Sequence, residues 1–215
     1  MEYIVNKYIE SLAEENQHHN LVSRKSFNEE VDKHIKDSLA VLQFEQLLNN
    51  NVVDIGSGAG FPALILAMKC PDSNFTLIES DLKKSSFLAK VAAELNLSNV
   101  KVIRKRAEEI GHDADFRNGF DICTSRAVAP LNVMLEYGLP LLRVGGLMWL
   151  WKGKNYLNEL EEANNALSLL KGRLVQTYLY TLMEERDRAI VVIRKEEETL
   201  GKYPRRVGIP AKRPL

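Results

Sequence analysis

A chain of 215 residues with 29 basic and 29 acidic side chains carries no formal net charge, which excludes a general polyanion-coating protein. Hydrophobic residues make up 45% and charged residues 27%, the balance of a globular chain, and no apolar run reaches the length of a membrane span. The start, Met1-Glu2-Tyr3-Ile4-Val5-Asn6-Lys7, has an early acid and no apolar core and does not read as a signal peptide, and two cysteines, Cys70 and Cys123, suit a reducing, cytoplasmic setting.

Residues 1–48 read as helical. Tyr3, Ile4, Tyr8, Leu12 and Leu21 recur at helical spacing, and a second helix is expected from Asn28 or Glu29 to Leu48, with Val31, Ile35, Leu39, Leu42 and Phe44 as its apolar stripe. Asn49-Asn50-Asn51 ends this region. From residue 52 the pattern alternates. Strands are expected at 52–55, 75–79, 100–103, 120–124, 147–151, 175–182 and 189–194, and helices at 62–69, 83–95, 130–142 and 155–170. Strands separated by helices imply βαβ crossovers and a mostly parallel sheet, here seven-stranded, with the last two strands as antiparallel neighbours. The expected class is α/β, a Rossmann-like class I methyltransferase fold in one domain over residues 1–215. It comprises N-terminal helices at 1–48, a core at 52–195 and a basic tail at 199–215.

The most informative stretch is Val52-Val53-Asp54-Ile55-Gly56-Ser57-Gly58-Ala59-Gly60-Phe61-Pro62. A buried strand turns into a helix through glycines at alternate positions, which leaves main chain open to a ligand. The dinucleotide fingerprint G-x-G-x-x-G requires its third glycine at 61, where Phe61 stands. That difference favours S-adenosylmethionine over NAD.

Ligands of open α/β sheets bind at the carboxyl ends of the strands, beside the first one. Asp54 ends the first strand, where it either touches the ligand or holds the loop through backbone N–H groups. Gly56, Gly58 and Gly60 present the backbone. Glu79 ends the second strand, where an acid can accept both ribose hydroxyls. Ala107 and Glu108 follow the third strand, where small residues flank an adenine; Glu108 alternatively serves as a helix-start acid. Thr124-Ser125-Arg126-Ala127 ends the fourth, without the acid–Pro-Pro–aromatic run of exocyclic-amine methylation, and places Arg126 next to the cofactor. Cys123 reads as a small buried hydrophobe rather than a thiolate. Lys152, after the fifth strand, either points over the cleft or is solvated. After Glu198 the chain holds Lys202, Arg205, Arg206, Lys212 and Arg213 and no acid, while Tyr203, Val207 and Ile209 give this tail something to dock with. Arginines beside an aromatic suit RNA. The four histidines lack metal-ligand spacing.

Together Asn20-Leu21-Val22-Ser23, His34-Ile35-Lys36-Asp37-Ser38-Leu39, the glycine loop with Phe61-Pro62, Thr124-Ser125-Arg126-Ala127, Lys152-Gly153-Lys154 and Tyr203-Pro204-Arg205-Arg206 with Gly208-Ile209-Pro210 carry a resemblance over nearly the whole chain. The chain resembles the glucose-inhibited division protein B family (RsmG type), bacterial methyltransferases acting on guanine N7 of 16S ribosomal RNA. The resemblance implies cofactor contact by Gly56, Phe61, Ala107, Glu108 and Arg126. It further implies 16S RNA or the small ribosomal subunit as partner; a monomer without metal or membrane is the expectation beside it. Guanine N7 has a free lone pair, so the enzyme mainly aligns it with the methyl carbon. A bidentate arginine on O6 and N7 would block the nucleophile. Arg126 or Lys152 is therefore expected to orient guanine without touching N7, while Lys152, Arg205 and Arg206 hold RNA. Three rivals remain: a small-molecule methyltransferase, a non-enzymatic RNA-binding or assembly factor, and an NAD-dependent dehydrogenase.

Overall fold

The computed structural model describes residues 2–23, 26–182 and 186–215, so residues 1, 24 and 25 of the expected N-terminal helices lie outside it. Two helices, α1 (Glu2–His18) and α2 (Phe27–Leu39), and a 3-10 turn (Ala40–Gln43) precede β1 (Asn51–Ile55). Then come α3 (Ala63–Lys69), β2 (Asn74–Ile78), α4 (Leu82–Glu94), β3 (Val100–Ile103), α5 (Ala107–Ile110) and β4 (Phe120–Arg126). The rest is α6 (Leu131–Gly138), β5 (Leu142–Lys152), α7 (Tyr156–Glu162), α8 (Asn164–Leu170), β6 (Gly172–Leu182), β7 (Arg186–Lys195) and α9 (Ile209–Lys212). The seven strands form one sheet in the order β3-β2-β1-β4-β5-β7-β6. Strands β1 to β5 are parallel, and β7 runs antiparallel to both β5 and β6.

Burial on both faces explains the apolar runs. In β1, Val52 packs into the core shared with α1–α4, while Val53 and Ile55 face the core shared with α5, α6 and α8. Asp81 caps α4, its carboxylate accepting from Lys84 N at 3.0 Å. The strand order reverses between parallel β1 and β4, and there the crossovers diverge and leave a crevice at the carboxyl ends.

The sheet agrees with the sequence expectation; several helix ends do not. The second helix stops at Leu39 rather than Leu48, because the main-chain oxygen of Asp37 takes the Ala40 N–H in a tighter turn and also accepts the Trp151 indole N–H at 2.8 Å. The expected helix 130–142 ends at Gly138. A side chain there would collide with Met148 and with Cys123 of the sheet. β5 accordingly starts at Leu142, and Gly145-Gly146 lie within it instead of before it. The expected helix 155–170 is two, broken at Ala163. The four-residue helices α5 and α9 are too short for periodicity to reveal.

The C-terminal segment is docked. Tyr203 is buried, but Val207 and Ile209 stay exposed. The Arg117 guanidinium donates to the carbonyls of Gly111 (2.7 Å), Tyr203 (2.8 Å) and Thr199 (2.7 Å). Arg205 is bound to Glu136 of α6, which is fully buried, through Nε (2.8 Å), Nη2 (2.6 Å) and its own backbone N–H (2.7 Å). Removing one partner of a buried pair strands the other charge. Arg205→Ala is expected to lower unfolding free energy by about 3 kcal/mol in urea denaturation, because Glu136 keeps its burial and loses its cation.

Candidate active site

A cavity of about 970 Å³ opens at the carboxyl ends of β1, β2, β4 and β5. Its floor is the loop after β1, where Gly56 (φ +72°), Gly58 (φ +57°) and Gly60 (φ +108°) all adopt left-handed backbone. Gly56 is confined twice: its φ disfavours any side chain, and an added Cβ would collide with Val128 Cγ2. At Gly58 the nearest atom to such a Cβ is the Gly56 oxygen at 3.9 Å, so bare backbone faces the cavity. Gly60 is spent on packing, with Leu64 Cβ 2.9 Å from the missing methyl.

Glu79 lies just beyond β2 and lines the cavity. It is buried, and its two oxygens accept from Gly58 N (2.9 Å) and Asp81 N (2.9 Å). Those bonds fix the carboxylate and leave each oxygen a further lone pair. Asp54 lies beneath the loop and does not line the cavity. Its Oδ1 accepts from the Thr124 hydroxyl at 2.6 Å and its Oδ2 has no partner. Burial pushes the Asp54 carboxyl up to about 6, against the opposing hydrogen bonds from Thr124 and Ser57.

Phe61 meets three groups from distant parts of the chain. Its ring touches Tyr8 edge-on (5.8 Å), lies tilted against His34 (5.0 Å), and has the Arg126 guanidinium over it (5.1 Å). Tyr8 also donates its hydroxyl to the Ala59 oxygen at 2.7 Å, tying α1 to the glycine loop. Arg126 Nη1 donates to Asp37 Oδ2 at 2.8 Å. Burial, then the Arg126 charge, brings the His34 imidazole down to about 4, so it is neutral at pH 7.

The structure therefore brings Gly56, Gly58, Phe61, Glu79, Arg126 and Lys152 to one cavity. It does not bring Ala107 and Glu108 there. Both are buried in α5, and Glu108 Oε1 accepts from Gly208 N of the C-terminal segment at 2.9 Å. Nor is Lys152 free over the cleft: its ammonium donates to Glu159 Oε2 (2.7 Å) and to the Ala129 oxygen (3.1 Å). Arg205, expected to hold RNA, has its guanidinium on Glu136, whereas Arg206 is exposed. Sequence reasoning missed His34, Asp37, Trp151 and Arg188, which line the cavity, and Tyr180 behind them. The available signals were polar Asp37 and Ser38 on the buried side of an otherwise amphipathic helix and the place of His34 and Asp37 in one of the motifs that carry the resemblance.

The family model for GidB, the rRNA small subunit methyltransferase G, matches residues 1–191. A ribosomal RNA small subunit methyltransferase G from Syntrophomonas wolfei is 59% identical over 215 residues, the full length of both chains. The protein of that name from Carboxydothermus hydrogenoformans is 43% identical over 210 residues, 97% of this chain and 89% of its own. Among solved structures, M. jannaschii TYW2 in complex with AdoMet matches with TM-score 0.60 at 14% identity over 76% of each chain. An Aquifex aeolicus SAM-dependent methyltransferase matches with TM-score 0.58 at 14% identity, over 75% of this chain and 91% of that one. Identities this low speak for the fold alone. The residues present fit S-adenosylmethionine: bare backbone at Gly58, a fixed buried carboxylate with spare acceptor capacity at Glu79, and the Phe61 ring beside them.

Gly56→Ala is expected to weaken S-adenosylmethionine binding more than about tenfold in calorimetry, and adding Val128→Ala should restore only part, because the backbone strain of about 1–2 kcal/mol remains. Asp54 gives a pH test. The folded chain holds its proton more tightly than the unfolded chain does. Asp54 therefore costs stability as pH rises from about 4 to about 6, and above that range the cost is complete. Asp54→Asn keeps the acceptor for Thr124 and should stabilise the protein about 1 kcal/mol more at pH 7 than at pH 5, read by urea denaturation at both.

Proposed function

The chain belongs to the rRNA small subunit methyltransferase G family, and from that premise we propose that it methylates N7 of a guanine in 16S ribosomal RNA. When bound, S-adenosylmethionine supplies the methyl group on a positively charged sulfur that is a good leaving group. The chain's own task is to hold an acceptor in line with that carbon at near-attack distance.

The observation that carries this reading is the lack, among the described residues, of a free, buried carboxylate on the cavity wall; the imidazole there, His34, is brought down to about 4 and is a weak base. Three of the lining carboxylates are already engaged: Asp37 by Arg126, Glu79 by two backbone N–H groups, and Glu159 by Lys152 and the Leu131 N–H. The fourth, Glu162, is exposed. Cys123, the thiol nearest this region in sequence, is fully buried in the sheet, and burial pushes its pKa well above the usual thiol value. A wall so arranged suits an acceptor that brings its own lone pair. N7 is such an atom, and its methylation releases no proton.

Arg126 has one terminal nitrogen on Asp37, while Nε and Nη2 have no partner among the described residues. A single donor to guanine O6 would orient the base and leave N7 free. Lys152 acts through the loop after β4, holding the Ala129 oxygen and, through Glu159, the first N–H of α6. The family assignment disfavours the small-molecule, non-enzymatic and dehydrogenase readings.

Incubation of the protein with labelled S-adenosylmethionine and either deproteinised 16S RNA or small subunits, followed by borohydride–aniline cleavage at 7-methylguanosine and primer extension, tests the reading. The expected result is one new N7 stop in the small-subunit RNA. Label at another atom, or none in RNA, overturns it.

A further inference from the structure

One wall of the cavity is assembled around a single carboxylate that the reaction does not require by its chemistry. Asp37 lies in the last turn of α2 with its side chain 7% exposed. Oδ2 accepts from Arg126 Nη1 at 2.8 Å, and Oδ1 accepts from the Tyr180 hydroxyl of β6 at 2.6 Å. The Arg188 Nε of β7 is 3.9 Å from Oδ1, too far for a hydrogen bond, and that nitrogen has no partner among the described residues. The main-chain oxygen of the same residue accepts from the Trp151 indole of β5 at 2.8 Å. One residue thus links α2, β4, β5 and the β6–β7 pair around a guanidinium whose side chain is 13% exposed.

We propose that Asp37 is a positioning residue for methyl transfer: held by Tyr180 and Trp151, it fixes the Arg126 guanidinium against Phe61 and offsets its charge where the acceptor base binds. The proposal rests on the reaction given above. Its physical basis has two parts. An arginine side chain loses much rotamer freedom when it is fixed, and an ion pair in place before substrate arrives means that ordering is not required during the reaction. Methylation at N7 also leaves a positive charge on the base. With Arg126 and Arg188 both on this wall and His34 neutral, Asp37 supplies the only negative charge within 4 Å of either guanidinium among the described residues. An uncompensated pair of guanidiniums would oppose charge arriving on the guanine.

Four variants test this: Asp37→Asn, Tyr180→Phe, Arg126→Gln, and the Asp37→Asn/Arg126→Gln double. Each is read for melting temperature, S-adenosylmethionine Kd by calorimetry, and kcat and KM for small-subunit RNA. Asp37→Asn should lower kcat about 100-fold, the scale of a misplaced reacting group, with KM for RNA little changed. It should also weaken cofactor binding about tenfold, as loss of a supporting partner does elsewhere. Tyr180→Phe should fold normally and lower kcat about fivefold with the same signature. The double should be no worse than Arg126→Gln alone, because removing the guanidinium removes what Asp37 positions. Losses that multiply in the double overturn the proposal, as does a folded Asp37→Asn with kcat within twofold of the parent. Should Asp37→Asn fail to fold, Tyr180→Phe with unchanged kcat and Kd overturns it instead. A parent protein that binds S-adenosylmethionine but leaves guanine N7 unmodified defeats the assigned reaction; the double-variant comparison of cofactor Kd then still decides whether Asp37 acts through Arg126.

Discussion

Between β1 and β4 the crossover connections leave the sheet in opposite directions, and everything that makes a site here follows from that divergence. The two strands are held together at that point by ladder pairs from Val52–Ile122 to Asp54–Thr124, and by the Thr124 hydroxyl on the Asp54 carboxylate at 2.6 Å. Past Ile55 the chain must leave β1 in a sharp turn, because the two crossovers part there. Glycines allow the turn, and the open backbone they leave becomes the floor of the cavity. The buried, half-satisfied Asp54 is the cost of closing the strand ends this tightly, which is why its proton is held up to about pH 6.

The balance of charge is organised locally. The chain as a whole is neutral, yet its prominent site cations are each set against one acid: Arg126 on Asp37, Lys152 on Glu159, Arg205 on Glu136. In each pair at least one partner is largely buried, so salt screens it little. Such pairs add little net stability, because desolvation offsets much of the attraction, but they fix geometry. The consequence differs from pair to pair. Arg126 is held with donors to spare and can act on a ligand. Lys152 is held so as to brace the loop after β4. Arg205 is held so as to seat the C-terminal segment, which leaves exposed Lys202, Arg206, Lys212 and Arg213 as the cations of that segment open to solvent.

What the sequence disclosed and what it hid divide by range. The glycine loop, Glu79 beyond β2 and Arg126 at the end of β4 are local facts, since strand ends follow from alternation and the fold rule puts ligands there. The partners of those residues are not local. Asp37 meets Arg126 across 89 residues and Tyr180 across 143, and Arg205 meets Glu136 across 69. No periodicity encodes such pairs, so Arg205 reads as a free cation although the fold engages it; Lys152 meets Glu159 only seven residues on, but across the turn from β5 into α7, which alternation does not specify. Glu108 shows the same limit in reverse: a helix-start acid and a ligand contact look alike in sequence, and only the Gly208 amide at 2.9 Å tells what its carboxylate faces in this structure.

The N-terminal helices, which precede the core in sequence, reach the floor and the wall of the cavity. Tyr8 binds the Ala59 oxygen of the glycine loop and stacks edge-on against Phe61. His34 lies against the same ring, and Asp37 holds the arginine above it. Phe61 is therefore enclosed by residues 8, 34 and 126, from two added helices and one core strand. The class I sheet alone supplies the cavity floor and Arg126 but neither the aromatic cage around Phe61 nor the counter-charge beside it. Those come from α1 and α2, so in this protein the helices that precede the sheet shape the wall of the cavity at which the proposed acceptor base would sit.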